Sequence, residues 1–116
     1  MAVTASQVAK LDTIRSTAFG SVTNSYVALG TKFAHPMRIV KFVNTTDADI
    51  LITFDPSESE DILPAGSFVL YDLDSNKEGA NTQFVFAVGS QPYIKYASGA
   101  PTLGSVYCVC LYGRGD

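Results

Sequence analysis

Few residues in this sequence could do acid–base or nucleophilic chemistry, and their spacing brings no catalytic set together. His35 is the single histidine, and Pro36 follows it directly before a strand-like stretch. A catalytic histidine needs a serine, a cysteine or a carboxylate as its partner. The linear sequence shows no such arrangement, so we interpret His35 as structural and predict that the chain is not an enzyme. A small hydrolase remains an alternative whose general base the sequence does not locate.

Three acidic residues stand close together in a polar segment, residues 55–61. Glu58, Glu60 and Asp61 could be read as the paired carboxylates of a glycosidase. Such pairs usually come from separate elements that flank a cleft, whereas these three share one loop. We therefore expect a solvated acidic loop.

Oxygen-rich segments raise the question of a calcium ion. From Asp72 to Glu78, oxygen side chains alternate as they do at the start of an EF-hand loop. That pattern also needs glycine at its sixth position and glutamate at its twelfth, where this sequence has Lys77 and Gln83. Residues 55–61 fail in a similar way. We predict no metal and no cofactor.

The two cysteines, Cys108 and Cys110, lie two residues apart near the C-terminus. In a strand they point to the same face, where a mutual disulfide does not form easily. We expect two small core residues that are kept reduced in a cytoplasm. A zinc site would need about four cysteine or histidine ligands, and one histidine leaves that set incomplete.

Other motifs have two interpretations. Asn44-Thr45-Thr46 fits an N-glycosylation sequon, but the N-terminus lacks a basic start followed by an apolar core. We therefore expect no signal peptide and predict a hairpin turn with Thr46 and Asp47 near its tip.

Four tyrosines could form a sugar-stacking platform or could fill a core or an interface. These are Tyr93, Tyr96, Tyr107 and Tyr112.

Composition limits the class of protein. The chain has 116 residues, of which 47% are hydrophobic and 16% charged, with a net charge of -3. This length fits one domain with a filled core. A protein that tracks nucleic-acid phosphates should be basic, so we predict no nucleic-acid partner. No apolar run approaches the roughly 20 residues of a membrane helix, so we predict no membrane partner.

Period-two stretches rich in Val, Ile, Phe, Tyr and Thr, separated by turn residues, predict strands. The stretches are residues 14–19, 26–29, 37–44, 49–54, 67–73, 83–88, 92–97 and 105–112. This spacing predicts an all-β protein, an antiparallel β-sandwich of about eight strands that is jelly-roll-like. We predict an N-terminal arm at residues 1–13 and a single domain at residues 14–116. The only candidate helix is short, at residues 6–11.

Several predicted strands are apolar on both faces, although an antiparallel sheet with one wet side should alternate. A lone sandwich has one interior, so the second apolar side should meet another subunit or the chain's own N-terminal arm. An excess of β-forming residues is the alternative explanation. We predict that the residues on one face of the stretches 67–73 and 105–112 make these contacts. If the fold leaves the opposite face of these stretches outside, we expect the residues of that face to make them. The predicted contact residues are Val69, Tyr71, Leu73, Tyr107, Val109 and Leu111.

The pattern of strands and turns resembles that of small β-sandwich virion proteins of tailed bacteriophages. The resemblance is carried by HPMRIVKFVNTTDADI from His35 to Ile50 and by LPAGSFVLYDL from Leu63 to Leu73. Residues 14–29, 93–95 and 104–107 are similar too. The resemblance implies a non-enzymatic part of the particle, either a capsid decoration or cement subunit or a neck or tail component. It implies no catalytic residues.

These observations lead to one functional expectation and one alternative. We expect a structural subunit that is made in the host bacterial cytoplasm and incorporated into the virion. Its partners would be further copies of itself and other virion proteins, such as the major capsid protein or tail and neck proteins. Arms such as residues 1–13 could pair along a neighbour's exposed strand. The alternative is a carbohydrate-binding or host-recognition module at a fibre or tail tip.

Overall fold

The computed structural model describes residues 7–73 and 85–115, which form nine strands in two antiparallel sheets. The first sheet contains β1 (Gln7–Leu11), β2 (Arg15–Ala18), β4 (Met37–Asn44), β7 (Phe68–Asp72) and β9 (Ser105–Gly115). The second sheet contains β3 (Val27–Ala28), β5 (Ile50–Thr53), β6 (Asp61–Leu63) and β8 (Tyr93–Tyr96). A short 3-10 helix, Phe19–Ser21, follows β2.

The strand order is that of a jelly roll. In the first sheet β9 lies between β4 and the two N-terminal strands, and β7 forms the far edge. The second sheet has the order β3-β8-β5-β6. From β2 onward each connection crosses between the sheets, except that β5 and β6 are neighbours in the same sheet. The predicted all-β antiparallel sandwich is therefore confirmed.

Two strands were not predicted from the sequence. The helix considered for residues 6–11 is wrong over its described part, because Gln7–Leu11 is β1 and pairs antiparallel with β9. Its sequence, QVAKL, has weak strand propensity, so the partner strand decides its conformation. β6 begins at Asp61, within the segment predicted to be an acidic loop. The strand predicted at residues 83–88 lies partly outside the described residues, and Phe86 makes an isolated bridge with Met37.

The core lies between the sheets and is filled from both. Val40 and Phe42 of β4 face Ile52 of β5 and Ile94 of β8, and all four are buried. At one side of the sandwich aromatic rings pack edge to face, with 5.8 Å between the ring centres of Phe33 and Phe54 and 6.1 Å between those of Phe42 and Phe54. β3, only two residues long, is held by its pairing with β8 and by Val27, which packs against the core.

A buried arginine joins β2 to the segment that precedes β4. Arg15 is 7% exposed, and its Nε donates to the carbonyl of Thr31 at 2.8 Å. Its Nη1 donates to the carboxylate of Asp12 at 2.9 Å, and its guanidinium lies 5.0 Å from the ring centre of Phe33. Gly30 has a φ of +72°, and a Cβ there would meet the Arg15 side chain at 2.6 Å. The close approach therefore requires glycine.

The segment predicted as a hairpin turn after β4 crosses between the sheets, so that prediction is wrong. The side chain of Asn44, 1% exposed, directs this crossing. Its Nδ2 donates to the carbonyls of Ala48 and Leu63 at 2.8 and 3.0 Å, while its Oδ1 accepts from the backbone N–H of Thr46 at 2.9 Å. One buried amide thus joins the end of the first sheet to the second.

We expect Asn44→Ala to lower the free energy of unfolding by about 2–4 kcal/mol, because it leaves buried carbonyls without donors. The measurement is urea denaturation followed by circular dichroism. Asn24→Ala is the matched control, since Asn24 is exposed. Equal losses in the two variants would contradict this role of Asn44.

Candidate interaction surface

The outer face of the first sheet carries apolar side chains in three rows that run across the strands. Val43 of β4 lies opposite Phe68 of β7 and Tyr107 of β9. In the next row, Lys41 lies opposite Leu70 and Val109. Directly opposed residues share a face of the sheet, so each row forms one stripe of the same surface.

The third row extends the surface to the N-terminal strand. Ile39 lies opposite Asp72 of β7 and Leu111 of β9, and Leu111 pairs in turn with Leu11 of β1. We call the apolar members of the three rows the outer apolar face. They are Leu11, Ile39, Val43, Phe68, Leu70, Tyr107, Val109 and Leu111.

The outer apolar face is open to solvent. Leu11, Phe68 and Leu70 are 66%, 65% and 51% exposed. A groove of about 370 Å³ runs along the face, between β7 on one side and β1 and β9 on the other. With strands about 4.8 Å apart and rows about 7 Å apart, each position covers about 34 Å², so the eight members cover about 270 Å². This area is close to the lower end of the range of the largest apolar patches on monomeric proteins, about 300–600 Å², which are often functional.

Strand register decides which predicted contact residues reach this face. Tyr107, Val109 and Leu111 lie on it, as the alternation in β9 requires. Val69 and Tyr71 instead lie opposite Phe42 and Val40, and pack against the core.

On β7 the outward residues are therefore Phe68 and Leu70, the opposing set of that strand. Leu73 follows the end of β7, is half-buried, and donates its backbone N–H to the carbonyl of Arg38 at 2.9 Å. Apolar residues occupy both sides of this strand, so the sequence pattern could not select the outer one.

Tyr71 has a specific reason to face inward. Its hydroxyl donates a hydrogen bond to the carboxylate of Asp61, which lies on β6 in the other sheet. Burial, this hydrogen bond and the charges of Asp61 and Glu60 raise the pKa of Tyr71 well above its ordinary value. The contact joins the two sheets at their open edge.

The structure does not assemble the catalytic groups considered from the sequence. The His35 ring stacks on the ring of Tyr112 at 3.9 Å with an interplanar angle of 5°. Glu60 accepts the backbone N–H of Phe54 at 2.8 Å, and Asp55 accepts that of Ser57 at 3.1 Å. These acidic side chains therefore order their own loop.

Within residues 7–73 and 85–115, no three His, Cys, Asp or Glu side chains are grouped to hold a metal ion. Of the calcium-like run, Asp72 lies on β7, while residues 74–78 lie outside the described residues. Cys108 and Cys110 are buried with free thiols, and their sulfur atoms are 3.6 Å apart. The hydrogen bond between the two thiols raises the pKa of Cys108 and lowers that of Cys110.

The four tyrosines do not share one surface. Tyr107 belongs to the outer apolar face, whereas Tyr112 is buried beneath His35. On β8, Tyr96 packs against the core, and alternation directs Tyr93 to the opposite side of the strand. The sugar-stacking platform is therefore not assembled from this set.

Among the helical segments of the described residues, none has the length and apolar character needed to span a membrane.

Tyr71→Phe should remove the contact between the sheets and lower the free energy of unfolding by about 1 kcal/mol at neutral pH. Because the pKa of Tyr71 is raised in the folded protein, its contribution is present below the unfolded pKa of about 10 and is lost as pH rises above that value. Urea denaturation at several pH values should therefore show a steeper alkaline fall for the unchanged protein than for Tyr71→Phe. Parallel curves would contradict the assignment.

Comparison with known proteins adds no relative from which a function could be transferred. No protein-family model, no curated protein and no solved structure matches the chain.

Proposed function

We propose that the protein is a non-enzymatic structural subunit of a bacteriophage virion, either a capsid decoration or cement protein or a component of the neck or tail. In this proposal it assembles through the outer apolar face with further copies of itself and with other virion proteins. The observation that carries the proposal is that face: three rows of apolar side chains on the outside of a sandwich that already has a filled core.

The reason for association is the hydrophobic effect. Burying a leucine or phenylalanine side chain completely gains about 1.5–3 kcal/mol. Leu11, Phe68 and Leu70 are about half to two-thirds exposed, so covering all three would gain about 3–5 kcal/mol per copy. Association itself costs at least that much in lost freedom, so a single contact of this kind is weak. Such a face suits a subunit that is held in a particle by repeated contacts.

A charged residue at the centre of the face contributes specificity. Lys41 lies at the centre of the middle row, between Leu70 and Val109. Its aliphatic stem can pack with these neighbours while its ammonium group stays in water or meets an acceptor on the partner. A partner that buries this ammonium without an acceptor would be disfavoured.

The virion assignment is supported by two general arguments. The strand and turn pattern resembles that of small phage β-sandwich proteins, and the jelly roll is a frequent architecture of viral capsid proteins. Since one fold hosts many functions, this part of the proposal needs its own experiment.

Association should depend on the outer apolar face and not on apolar exposure in general. We expect the molar mass from sedimentation equilibrium to rise with protein concentration, and Leu70→Glu to abolish the rise. Ile62→Glu is the matched control, because Ile62 is 49% exposed, close to the 51% of Leu70, and pairs with Leu51 in the other sheet. Equal behaviour of the two variants, or no rise in the unchanged protein, would contradict the proposed mode of assembly.

The virion assignment is tested on phage particles. Quantitative mass spectrometry should find the chain in multiple copies in particles purified from the infected host. Antibodies against it should label one part of the particle, such as the capsid, neck or tail, in electron micrographs. Its absence from washed particles would refute the assignment.

A further inference from the structure

A second surface feature lies at the edge of the sandwich where β6 and β7 approach each other. An open cavity of about 240 Å³ enters between the two sheets at this edge. Its wall combines three aromatic rings, Phe54, Tyr71 and Phe86, with two carboxylates, Glu60 and Asp61. The outer apolar face lies on the other side of the first sheet, so the two features are separate.

The aromatic wall forms a corner. Phe54 and Phe86 stack with ring centres 4.9 Å apart, and the ring of Tyr71 meets Phe86 edge to face at 6.0 Å with an interplanar angle of 75°. Phe54 and Phe86 therefore cover one face of each other, and the three rings give the cavity an apolar wall.

The carboxylates are oriented by neutral donors. Asp61 lies opposite the buried Ile52 across β5 and β6, so its side chain points inward, where it accepts from the Tyr71 hydroxyl. Glu60 accepts the backbone N–H of Phe54 at 2.8 Å. A hydroxyl and a backbone N–H hold these groups in place without cancelling their negative charge.

Charge and shape therefore select one class of ligand. An anion would be repelled by both carboxylates, and a neutral group would gain only from the apolar wall. A compact organic cation is attracted by the two carboxylates through its charge and packs its alkyl part on the aromatic wall, in a site shielded from water on one side. The volume suits one amino-acid side chain or a molecule of that size and is below the usual range for larger ligands.

We propose that this cavity binds a single organic cation, an alkylammonium or guanidinium group. The occupant is the end of a lysine or arginine side chain of a partner polypeptide, because the cavity volume suits one amino-acid side chain. The site involves neither the outer apolar face nor other virion proteins. Cation binding can therefore be refuted without refuting the proposed function, and the proposed function can be refuted without refuting cation binding.

The test is a titration of the full chain, labelled with ¹⁵N, by n-butylammonium, n-propylguanidinium and tetramethylammonium chlorides, with n-pentanol as a neutral control of similar size. We expect saturable amide shifts at and around Phe54, Asp61, Tyr71 and Phe86, with binding in the millimolar range, which corresponds to about 4 kcal/mol. Stronger binding of n-butylammonium or n-propylguanidinium supports a lysine or arginine side chain, and a preference for tetramethylammonium would overturn that assignment. Equal binding of n-pentanol, or no saturable shift with any cation, would overturn the proposal.

Two variants separate this site from general attraction to an acidic loop. Glu60→Gln keeps an oxygen for the Phe54 N–H and removes the charge, and should weaken binding of the preferred cation about tenfold, an effect typical of a hydrogen-bonded charge. Glu58→Gln removes the same charge from the same loop outside the cavity wall and should change binding less than twofold. Equal effects of the two glutamine variants would refute a specific site.

Discussion

The antiparallel pairing of β4 with β9 is the constraint on which the rest of the structure depends. Phe42 lies opposite Cys108 and Val40 opposite Cys110, and all four side chains are buried. A slip of β9 by one residue would turn Cys108 and Cys110 to the outer face, so the core determines this register. β9 then continues past β4 and pairs with β1. The sequence of β1 has weak strand propensity, so this pairing decides its conformation.

The same register creates the outer apolar face. Once the inward residues of β4 and β9 fill the core, strict alternation leaves Val109 and its neighbours on the outside. An ordinary outer face would be polar, so this surface costs solubility unless something covers it. This loss of solubility is the physical argument for assembly. It arises from apolar side chains that a single copy leaves exposed.

Polar side chains determine how the sheets meet at their ends and edge. Arg15 joins β2 to the segment before β4, Asn44 directs the crossing from β4 to the second sheet, and Tyr71 bonds to Asp61 across the open edge. Within the described parts of the chain, no buried side-chain nitrogen or oxygen lacks a hydrogen-bond partner. The contact between Tyr71 and Asp61 joins the edge strands β7 and β6, and both residues line the aromatic and acidic cavity.

The sequence by itself determined the all-β class, the sandwich and most strand positions, because period-two patterns and turn residues act locally. It also showed that apolar surface exceeds one interior. Only the tertiary structure decided which side of β7 faces out, that Asn44 directs a crossing, and that Gln7–Leu11 is a strand. Those outcomes depend on partners distant in sequence. Where both sides of a strand are apolar, as at Phe68 and Val69, local pattern carries no preference, and the register with β4 makes the choice.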